Sequence, residues 1–326
     1  MSIFGRLAYK LYYEPKSRQA IIKKFGGKKS YLEMLKAEQD MKWYALNDLV
    51  INGDFNAEGK YKLNFLTGDK FLHQTLFCTN SFFRFLSSNE SGMFSVNYYS
   101  DGSLSKSSIQ ILKARFPRIT IIDYEITMLA IKNFLPNAAF PYLNKNVKAL
   151  PLFKKLIFTH LNNKGSSTFL DSDMLFWEKP VAFLDWLYKK SDNANCSFCI
   201  QDTQRSYGYS DSDILKVWST PIMHNINSGM YSIHSEKMDF QLIEALVKEF
   251  EEKLGSQYYV EQLITAIILE KSPELYVAAK SEYIVLPSYD QIKNQIGTLH
   301  HYVNESKGYY FKESWRRQIS SICTVF

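Results

Sequence analysis

Short strand-like segments alternate with helical ones along most of this chain, and that alternation restricts the possible folds more than any other feature. Six segments combine β-branched or aromatic residues with a polar or turn-forming end: HQTLFCTN, MFSVNYYSDGS, RITIIDY, SSTFLDSD, CSFCIQD and INSGMYSI. In DFQLIEALVKEFEEKLG, apolar residues recur at i, i+3, i+4 and i+7 from Ile243, and Gly255 supplies a stop. The alternation predicts an α/β fold with a mixed, mainly parallel sheet flanked by helices.

Composition is that of a globular protein without a membrane span. The 326 residues are 46% hydrophobic, which is enough for the core of one large domain or two smaller ones. The apolar run LITAIIL is far shorter than the roughly 20 residues that a membrane helix needs. The N-terminus lacks the apolar core and cleavage site of a signal peptide, and four cysteines are too few for a disulfide scaffold. The sequence therefore predicts a cytoplasmic protein.

Positive charge is concentrated at the N-terminus. Residues 1–42 carry eight Lys and two Arg against three Glu and one Asp, so the net charge of +6 arises there. Such a charge run favours a solvated helical face. Peripheral contact with an anionic membrane is the alternative, because aromatic residues are interleaved with the basic ones. Binding to nucleic acid is disfavoured, since these residues match no RNA- or DNA-reading module.

The N-terminal region also contains helix and boundary signals. SYLEMLKAEQDM predicts a helix, with Ser30 and Glu33 forming a capping box at its start. NGDFNAEGK, residues 52–60, is rich in turn-forming residues and predicts a boundary. We therefore expect a basic, mainly helical extension over residues 1–65 and the α/β domain over residues 66–326.

Two acids stand one residue apart where the strand in SSTFLDSD ends. Asp171 and Asp173 lie within an apolar passage, where like charges repel more strongly than in water. A hard cation such as Mg²⁺ or Mn²⁺, which prefers carboxylate ligands, would offset this repulsion and leave positions open for a diphosphate. The same Asp-Ser-Asp pattern recurs at Asp211 and Asp213, but no strand precedes it, which predicts residues at a helix start.

Other polar residues also follow predicted strands. Thr79 and Asn80 end the first predicted strand, and Asp101 follows the second. Ligands of parallel sheets bind beyond the carboxyl ends of the strands, where Asp171 and Asp173 also lie. We therefore expect these side chains at one edge of the sheet.

A histidine and a lysine near the C-terminus complete the candidates. His301 and Lys307 lie six residues apart in LHHYVNESKGYYF, and His301 follows Asp171 by 130 residues. An imidazole could complete the coordination of a metal ion, and a lysine ammonium could contact a phosphate as a point charge. Combined with the strand-end acids, this pair indicates a site for a metal and a phosphorylated ligand.

These motifs resemble those of the GT-A glycosyltransferases, which use nucleotide sugars, and most of all the glycogenin and lipopolysaccharide galactosyltransferase family. The resemblance spans residues 148–310 and rests on Asp171-Ser172-Asp173, the segment NSG from Asn227, Glu261-Gln262, and His301-Tyr302 with Lys307. Where the family has Gly, Pro and Trp, this chain has Asn304, Gly308 and Tyr309. YYSDGSLS instead resembles a strand end of inverting GT-A enzymes.

The resemblance implies a role for each matching residue. Asp173 and His301 would ligate Mn²⁺ or Mg²⁺, and Asp171 would be shared between the metal and the ribose. The diphosphate leaving group would be neutralised by Lys307 together with Lys154 or Lys155. The base and ribose would be held by Thr79, Asn80 and Asp101, and the donor sugar would be contacted by Asn227.

Glu261 and Gln262 open the helical segment EQLITAIILEK and are the candidates for catalysis. Double displacement needs a nucleophilic carboxylate and inversion needs a carboxylate base, so either route favours Glu261. Gln262 facing the sugar would instead favour a front-side retaining reaction. Acids are also common at helix N-termini for purely structural reasons, and the sequence leaves these alternatives open.

The predicted function is transfer of a hexose from a nucleoside diphosphate sugar, UDP-linked, to an acceptor hydroxyl on a glycan, glycolipid or protein. A sugar nucleotidyltransferase would share the sheet, but it needs a glycine-rich loop after the first strand, which LFCTNSFFRF lacks. A non-catalytic membrane- or nucleic-acid-binding protein that uses the basic N-terminus is the other alternative. Steep salt dependence of binding without any nucleotide-sugar binding would distinguish it.

Overall fold

A computed structural model describes residues 14–320 of the chain. Contacts between Cα atoms divide the chain into two units. The larger unit comprises Val50–Val285 and Ile296–His301. The smaller unit comprises Leu286–Gln295 together with the described parts of Met1–Leu49 and Tyr302–Phe326. Both β-sheets belong to the larger unit.

The strands form two sheets. In chain order they are β1 (Tyr61–Thr67), β2 (Phe94–Ser100), β3 (Thr120–Ile122), β4 (Ser166–Leu170), β5 (Met174–Phe176), β6 (Cys196–Gln201), β7 (Ile226–His234), β8 (Glu274–Val277), β9 (Tyr283–Val285) and β10 (Leu299–His301). The central sheet has the order β3-β2-β1-β4-β7-β6-β8, and the second sheet has the order β5-β10-β9. All pairs of the central sheet are parallel except those of β7, which runs antiparallel to β4 and β6. The predicted mixed, mainly parallel sheet is confirmed.

Helices flank the sheet or form the smaller unit. They are α1 (Glu14–Lys24), α2 (Lys28–Asn47), α3 (Leu72–Phe83), α4 (Ser88–Ser91), α5 (Lys106–Arg115), α6 (Tyr124–Phe134), α7 (Pro141–Ala149), α8 (Pro151–Phe158), α9 (Val181–Lys190), α10 (Asp211–Val217), α11 (Phe240–Leu254), α12 (Val260–Glu270), α13 (Tyr289–Asn294), α14 (Lys307–Tyr309) and α15 (Trp315–Ser320). A π-helical turn, Tyr310–Ser314, joins the last two. Among residues 14–320, no helix is both long and apolar enough to cross a bilayer.

The reversed strand β7 decides which residues meet at the edge of the central sheet. Strands β1, β2, β4 and β6 run in the same direction, so their carboxyl ends lie at one edge. Because β7 runs the other way, its first residues lie at that same edge. Five segments therefore bring polar residues together where a parallel sheet usually binds its ligand.

The second sheet brings the end of β10 to the same region. Strand β10 is antiparallel to β5, and the register places His301 opposite Met174, the residue after Asp173. Strand β9 pairs with the other side of β10 in parallel. The backbone pairing therefore fixes His301 beside Asp173, although 128 residues separate them in sequence.

The amphipathic helix predicted from Ile243 onwards is confirmed as α11. Its apolar positions Ile243, Leu246, Val247 and Phe250 are buried, and the Asp239 carboxylate caps its first turn by accepting from the Leu242 amide. Gly255 follows the helix with a φ of 82°, a conformation that favours glycine. The five later strand predictions, from MFSVNYYSDGS to INSGMYSI, are also confirmed.

The first strand prediction was wrong. HQTLFCTN belongs to helix α3, so Thr79 and Asn80 lie in the interior of a helix and not at a strand end. Every residue of α3 is buried, and the helix consequently lacks the polar face that periodicity detects. The true first strand is β1, YKLNFLT, where the buried Asn64 is accommodated by hydrogen bonds to Ser167 Oγ and the Thr168 carbonyl.

The predicted capping box at Ser30 was also wrong. Helix α2 begins two residues earlier at Lys28, after Gly27, and no side chain caps it. Gly26 and Gly27 both have positive φ angles, 82° and 96°, which turn the chain between α1 and α2. Ser30 is therefore inside the first turn, and its hydroxyl accepts from Lys312 Nζ at 2.6 Å instead.

Candidate active site

Acidic and amide side chains line one edge of the central sheet. Asp101 follows β2, Asp171 follows β4 and Asp202 follows β6, while Asn227 is the second residue of the reversed strand β7. The amide of Asp171 donates to the carbonyl of Gly229 at 2.7 Å, which extends the pairing of β4 with β7 by one residue. The ends of four strands thus point polar groups into the same region.

Asp171, Asp173 and His301 form a compact cluster at this edge. One potential ligand atom from each lies within 4.8 Å of the others. Nε2 of His301 is 3.2 Å from Oδ1 of Asp173 and 3.7 Å from Oδ2 of Asp171. The Asp171 side chain is the most accessible of the three, at 29% exposed, whereas those of Asp173 and His301 are 14% and 4% exposed.

Asn227 fixes the orientation of the His301 ring. Nδ1 of His301 lies 3.1 Å from Oδ1 of Asn227, and an amide oxygen can only accept, so Nδ1 carries the proton. The same oxygen accepts from the amide of Gly229 at 2.9 Å, which holds it in place. In the neutral imidazole, Nε2 then presents its lone pair between the two carboxylates, as a metal ligand must.

This cluster fits a divalent cation. Two carboxylates and one imidazole make a donor set suited to Mn²⁺ or Mg²⁺, and three protein ligands leave further positions for phosphate oxygens. The partial exposure of Asp171 keeps one side of the cluster accessible to a ligand. The chemistry of the donor set and the aligned imidazole therefore agree with the metal cofactor implied by the sequence.

A buried lysine lies behind the cluster. Lys155 on α8 is 3% exposed, and its Nζ lies 3.6 Å from Asp171 Oδ2 and 3.5 Å from Glu261 Oε2. It also donates to Ser228 Oγ at 2.9 Å. Burial lowers the pKa of the Lys155 ammonium, but attraction to Asp171 and Glu261 outweighs burial, so the net pKa is raised. Lys155 is therefore a fixed positive charge that holds Asp171 in place.

Glu261, at the start of α12, is wholly enclosed. Its side chain is 0% exposed, and its two oxygens accept from Ser228 Oγ at 3.1 Å and Thr265 Oγ1 at 3.0 Å. Burial raises the pKa of the Glu261 carboxyl, Lys155 opposes that rise, and the nearby charge of Asp171 adds to it. The pKa of Lys155 is thus raised by its two carboxylate neighbours, whereas the pKa of Glu261 is raised because burial outweighs its attraction to Lys155. The surroundings of Glu261 are those of a residue that positions Lys155.

Asp202 is a site residue that the sequence interpretation missed. Its Oδ2 accepts from Asn227 Nδ2 at 3.0 Å and from Gln262 Nε2 at 3.2 Å. It is therefore joined to His301 through Asn227, and it is 8% exposed. The available signal was its position directly after the strand in CSFCIQD, the same argument that identified Asp171.

The remaining candidates lie outside this cluster. Lys154 donates to the carbonyl of Asp101 at 2.6 Å, and the Asp101 carboxylate accepts from the amide and hydroxyl of Ser103. Thr79, inside α3, is 2.7 Å from the Tyr98 hydroxyl, and Asn80 is buried in the same helix. Lys307 opens α14 in the smaller unit. Contacts of these residues with a donor stay predictions.

The second Asp-Ser-Asp pattern behaves as expected from its sequence context. Ser210 caps helix α10, and Asp211 and Asp213 lie in its first turn. Asp213 pairs with Lys216 at 2.6 Å and accepts from Ser210 Oγ at 2.7 Å. The same tripeptide thus forms the first turn of a helix at residues 211–213 and part of a buried cluster at residues 171–173.

Gly229 is expected to tolerate no side chain, because an added Cβ would lie 2.5 Å from Cε1 of His301 and 2.7 Å from Oδ1 of Asn227. Contacts this short displace the imidazole, and disturbing the support of a metal ligand typically weakens metal binding by about 10- to 100-fold. We expect Gly229→Ala to weaken Mn²⁺ binding to that extent in a titration followed by the electron paramagnetic resonance of free Mn²⁺. Gly92→Ala, where the nearest atom is 3.3 Å away, should retain the original affinity. Unchanged Mn²⁺ binding in Gly229→Ala would contradict the site.

Comparison with models of known protein families finds no match. Comparison with curated protein sequences finds none either. Solved structures, in contrast, share the fold. Mouse xyloside xylosyltransferase 1 superposes with a TM-score of 0.51 at 12% identity, covering 74% of this chain and 97% of its own. The galactosyltransferase LgtC, solved with donor and acceptor sugar analogues, gives a TM-score of 0.50 at 10% identity, covering 80% and 95%.

These similarities establish the architecture. The seven-stranded, mostly parallel sheet with its single reversed strand is the GT-A glycosyltransferase fold. The fold class predicted from the strand-end motifs is therefore confirmed, in a chain whose identity to either structure is only 10–12%.

Proposed function

We propose that this protein is a metal-dependent glycosyltransferase that moves a hexose from a nucleoside diphosphate sugar to an acceptor hydroxyl. The observation that carries the proposal is the Asp171–Asp173–His301 cluster at the ligand-binding edge of a GT-A sheet. The acceptor belongs to a glycan, a glycolipid or a protein. The donor to be tested first is a UDP-linked sugar.

In this proposal Asp173 and His301 hold Mn²⁺ or Mg²⁺, and Asp171 is shared between the cation and the ribose. When bound, the cation acts as a Lewis acid for the departing diphosphate. The chain itself supplies the alignment: Asn227 holds the proton of His301 on Nδ1, and Lys155 holds the carboxylate of Asp171 in place. Lys154 and Lys307 are the proposed lysines for the phosphates, because Lys155 is enclosed.

The sugar end of the donor is assigned to Asp202, Asn227 and Gln262. Asp202 Oδ2 joins the three side chains, because it accepts one hydrogen bond from Asn227 at 3.0 Å and one from Gln262 at 3.2 Å. Gln262 has no charge, so it can orient a sugar hydroxyl or stabilise positive character at the anomeric carbon, but it cannot act as a base. Glu261 has no exposed surface, and its proposed role is to position Lys155.

The alternative of a sugar nucleotidyltransferase gains no support from the corrected first strand. Strand β1 is followed by Gly68, Asp69 and Lys70, where a phosphate-cradling loop would need several glycines. An added Cβ at Gly68 would lie 2.1 Å from Ser103 Oγ, so this glycine is explained by packing against the end of β2.

A thermal-shift screen tests the proposed function. Ligands that bind the folded state raise the melting temperature by mass action, here by an expected few degrees at about 100 times the dissociation constant. The screen contains UDP-sugars, GDP-sugars and free nucleotides, each with Mn²⁺ or with a chelator. A metal-dependent rise with one nucleotide class supports the proposal and names the donor class. No rise with any nucleotide, with or without Mn²⁺, would contradict it.

A further inference from the structure

The smaller unit carries all of the surplus positive charge. Its described residues contain 13 Lys and Arg against 8 Asp and Glu, whereas the larger unit contains 24 against 25. The net charges are +5 and −1, so the basic character of the described residues belongs to one unit. An anionic partner would therefore be attracted to the smaller unit rather than to the catalytic one.

Helix α2 of this unit has one buried face and one exposed face of unusual composition. Met34, Ala37, Met41 and Ala45 are buried. On the opposite face, exposed residues recur every three or four positions and form what we term the outer stripe: Lys29, Leu32, Lys36, Gln39 and Trp43. Leu32 is 53% exposed and Trp43 is 60% exposed, although both are large and apolar.

Two acids beside the outer stripe pair with basic residues of the same unit. Asp40 pairs with Arg316 at 2.9 Å, and Glu33 lies 3.9 Å from the ammonium of Lys312. The outer stripe itself contains two lysines, one amide and two apolar side chains, but no carboxylate. The outer stripe therefore contributes only positive charge of its own.

We propose that the outer stripe of α2 docks on an anionic lipid surface, with the helix lying in the plane of the membrane. Lys29 and Lys36 would meet the headgroup phosphates, and Leu32 and Trp43 would enter the boundary between headgroups and acyl chains. The two apolar anchors are about 16 Å apart along the helix at a rise of about 1.5 Å per residue, which suits a helix lying flat. A phosphate backbone of nucleic acid would attract the lysines but would give Leu32 no apolar surface to bury against.

The test uses the full chain and two kinds of vesicle: phosphatidylcholine alone, and phosphatidylcholine mixed with phosphatidylglycerol. We expect co-sedimentation with the anionic vesicles, weakening as salt is added. Each lysine near an anionic surface contributes about a fivefold increase in binding, so Lys29→Gln/Lys36→Gln should lower the partition coefficient about 30-fold. Trp43→Ala, which changes no charge, should lower it as well.

The matched control is Lys113→Gln/Lys248→Gln, which removes two exposed lysines from the larger unit. It should bind anionic vesicles as the original chain does, and circular dichroism should show all variants folded. Three results would overturn the proposal: no binding to anionic vesicles, an equal loss in the control pair, or vesicle binding that the outer-stripe variants leave unchanged. Preferential binding to duplex DNA over the anionic vesicles, lost in the Lys29→Gln/Lys36→Gln variant, would overturn it in favour of a nucleic-acid surface.

Discussion

The Asp173→Ala variant is expected to lose at least about a hundredfold in turnover, the scale of loss when a main electrostatic group is removed from an active site. Asp173 is the carboxylate nearest to the imidazole of His301, with 3.2 Å between Oδ1 and Nε2. In the proposed reaction the cluster would then keep two ligating side chains, and the diphosphate would leave with less of its charge neutralised. The measurement is release of nucleoside diphosphate at saturating donor and Mn²⁺.

Asp213→Ala is the matched control for that loss, because it removes the second acid of the other Asp-Ser-Asp segment. Asp213 is 35% exposed, and its carboxylate is engaged by Lys216 and Ser210 on the surface of the larger unit. Its removal should leave turnover within about twofold, as expected of a surface change away from the site. Equal losses in the two variants, or none in Asp173→Ala, would remove the catalytic assignment of the cluster.

Lys155→Met is expected to be the most destabilising single change in the site, at about 3–5 kcal/mol, because it leaves a buried charge without its partner. Lys155 and Glu261 have side chains that are 4% and 0% exposed, and their charged atoms lie 3.5 Å apart. The free energy of unfolding, measured in denaturant, reports this loss. Lys154→Met changes the neighbouring, half-buried lysine, whose partner is a backbone carbonyl, and should cost about 1 kcal/mol.

A second substitution and a change of pH distinguish two causes of the stability loss in Lys155→Met: the unpaired charge of Glu261 and the lost packing of the lysine side chain. In Lys155→Met/Glu261→Gln the buried carboxylate is gone, so a large part of the stability should return. Burial already raises the pKa of Glu261, and removing Lys155 raises it further. The pKa of Glu261 in folded Lys155→Met then lies above its pKa in the unfolded chain, so the folded state takes up a proton as the pH falls. The loss in free energy of unfolding, relative to the original chain, should therefore shrink between about pH 8 and pH 5. A deficit that is the same at both pH values would contradict a charge effect.

The two acids of the Asp171–Asp173–His301 cluster could be predicted because they obey a local rule. Asp171 and Asp173 follow a strand of clear composition, and strand ends are where parallel sheets bind ligands. The place of His301 follows from its register with Met174 in the second sheet, which no local pattern in the sequence encodes. In the sequence, His301 was connected with the two acids through the ligand chemistry of imidazole and carboxylate and through the resemblance to GT-A enzymes.

The lysine that offsets the charge of Asp171 could not be predicted in the same way. The repulsion between Asp171 and Asp173 suggested a cation, and a metal ion was the expected answer. Within the chain, Lys155 already offsets Asp171 from behind, held there by Glu261 and Ser228. The buried triad of Lys155, Ser228 and Glu261 joins α8, β7 and α12. In the sequence, Lys155 and Glu261 look like ordinary helix residues, and nothing indicates that they pair.

Helix α3 and strand β1 show why the first strand of the sheet was predicted at the wrong place. Thr, Phe and Cys favour strands, and a helix buried on every side lacks the periodic polar face that would identify it. Strand β1 was overlooked because Asn64 interrupts its apolar character, yet the interior supplies Ser167 and Thr168 as partners for that amide. In both cases tertiary surroundings override the local signal.

A Mn²⁺ titration of the protein, followed by electron paramagnetic resonance with UDP and with GDP present in turn, tests the proposed metal site directly. Hydrated Mn²⁺ gives a strong signal that is lost on binding. We expect one tightly bound Mn²⁺ per chain in the presence of the nucleoside diphosphate of its donor, and loss of that site in Asp173→Ala. A free Mn²⁺ signal that the original chain leaves undiminished with both nucleotides would contradict the proposal that Asp171, Asp173 and His301 form a metal-dependent donor site.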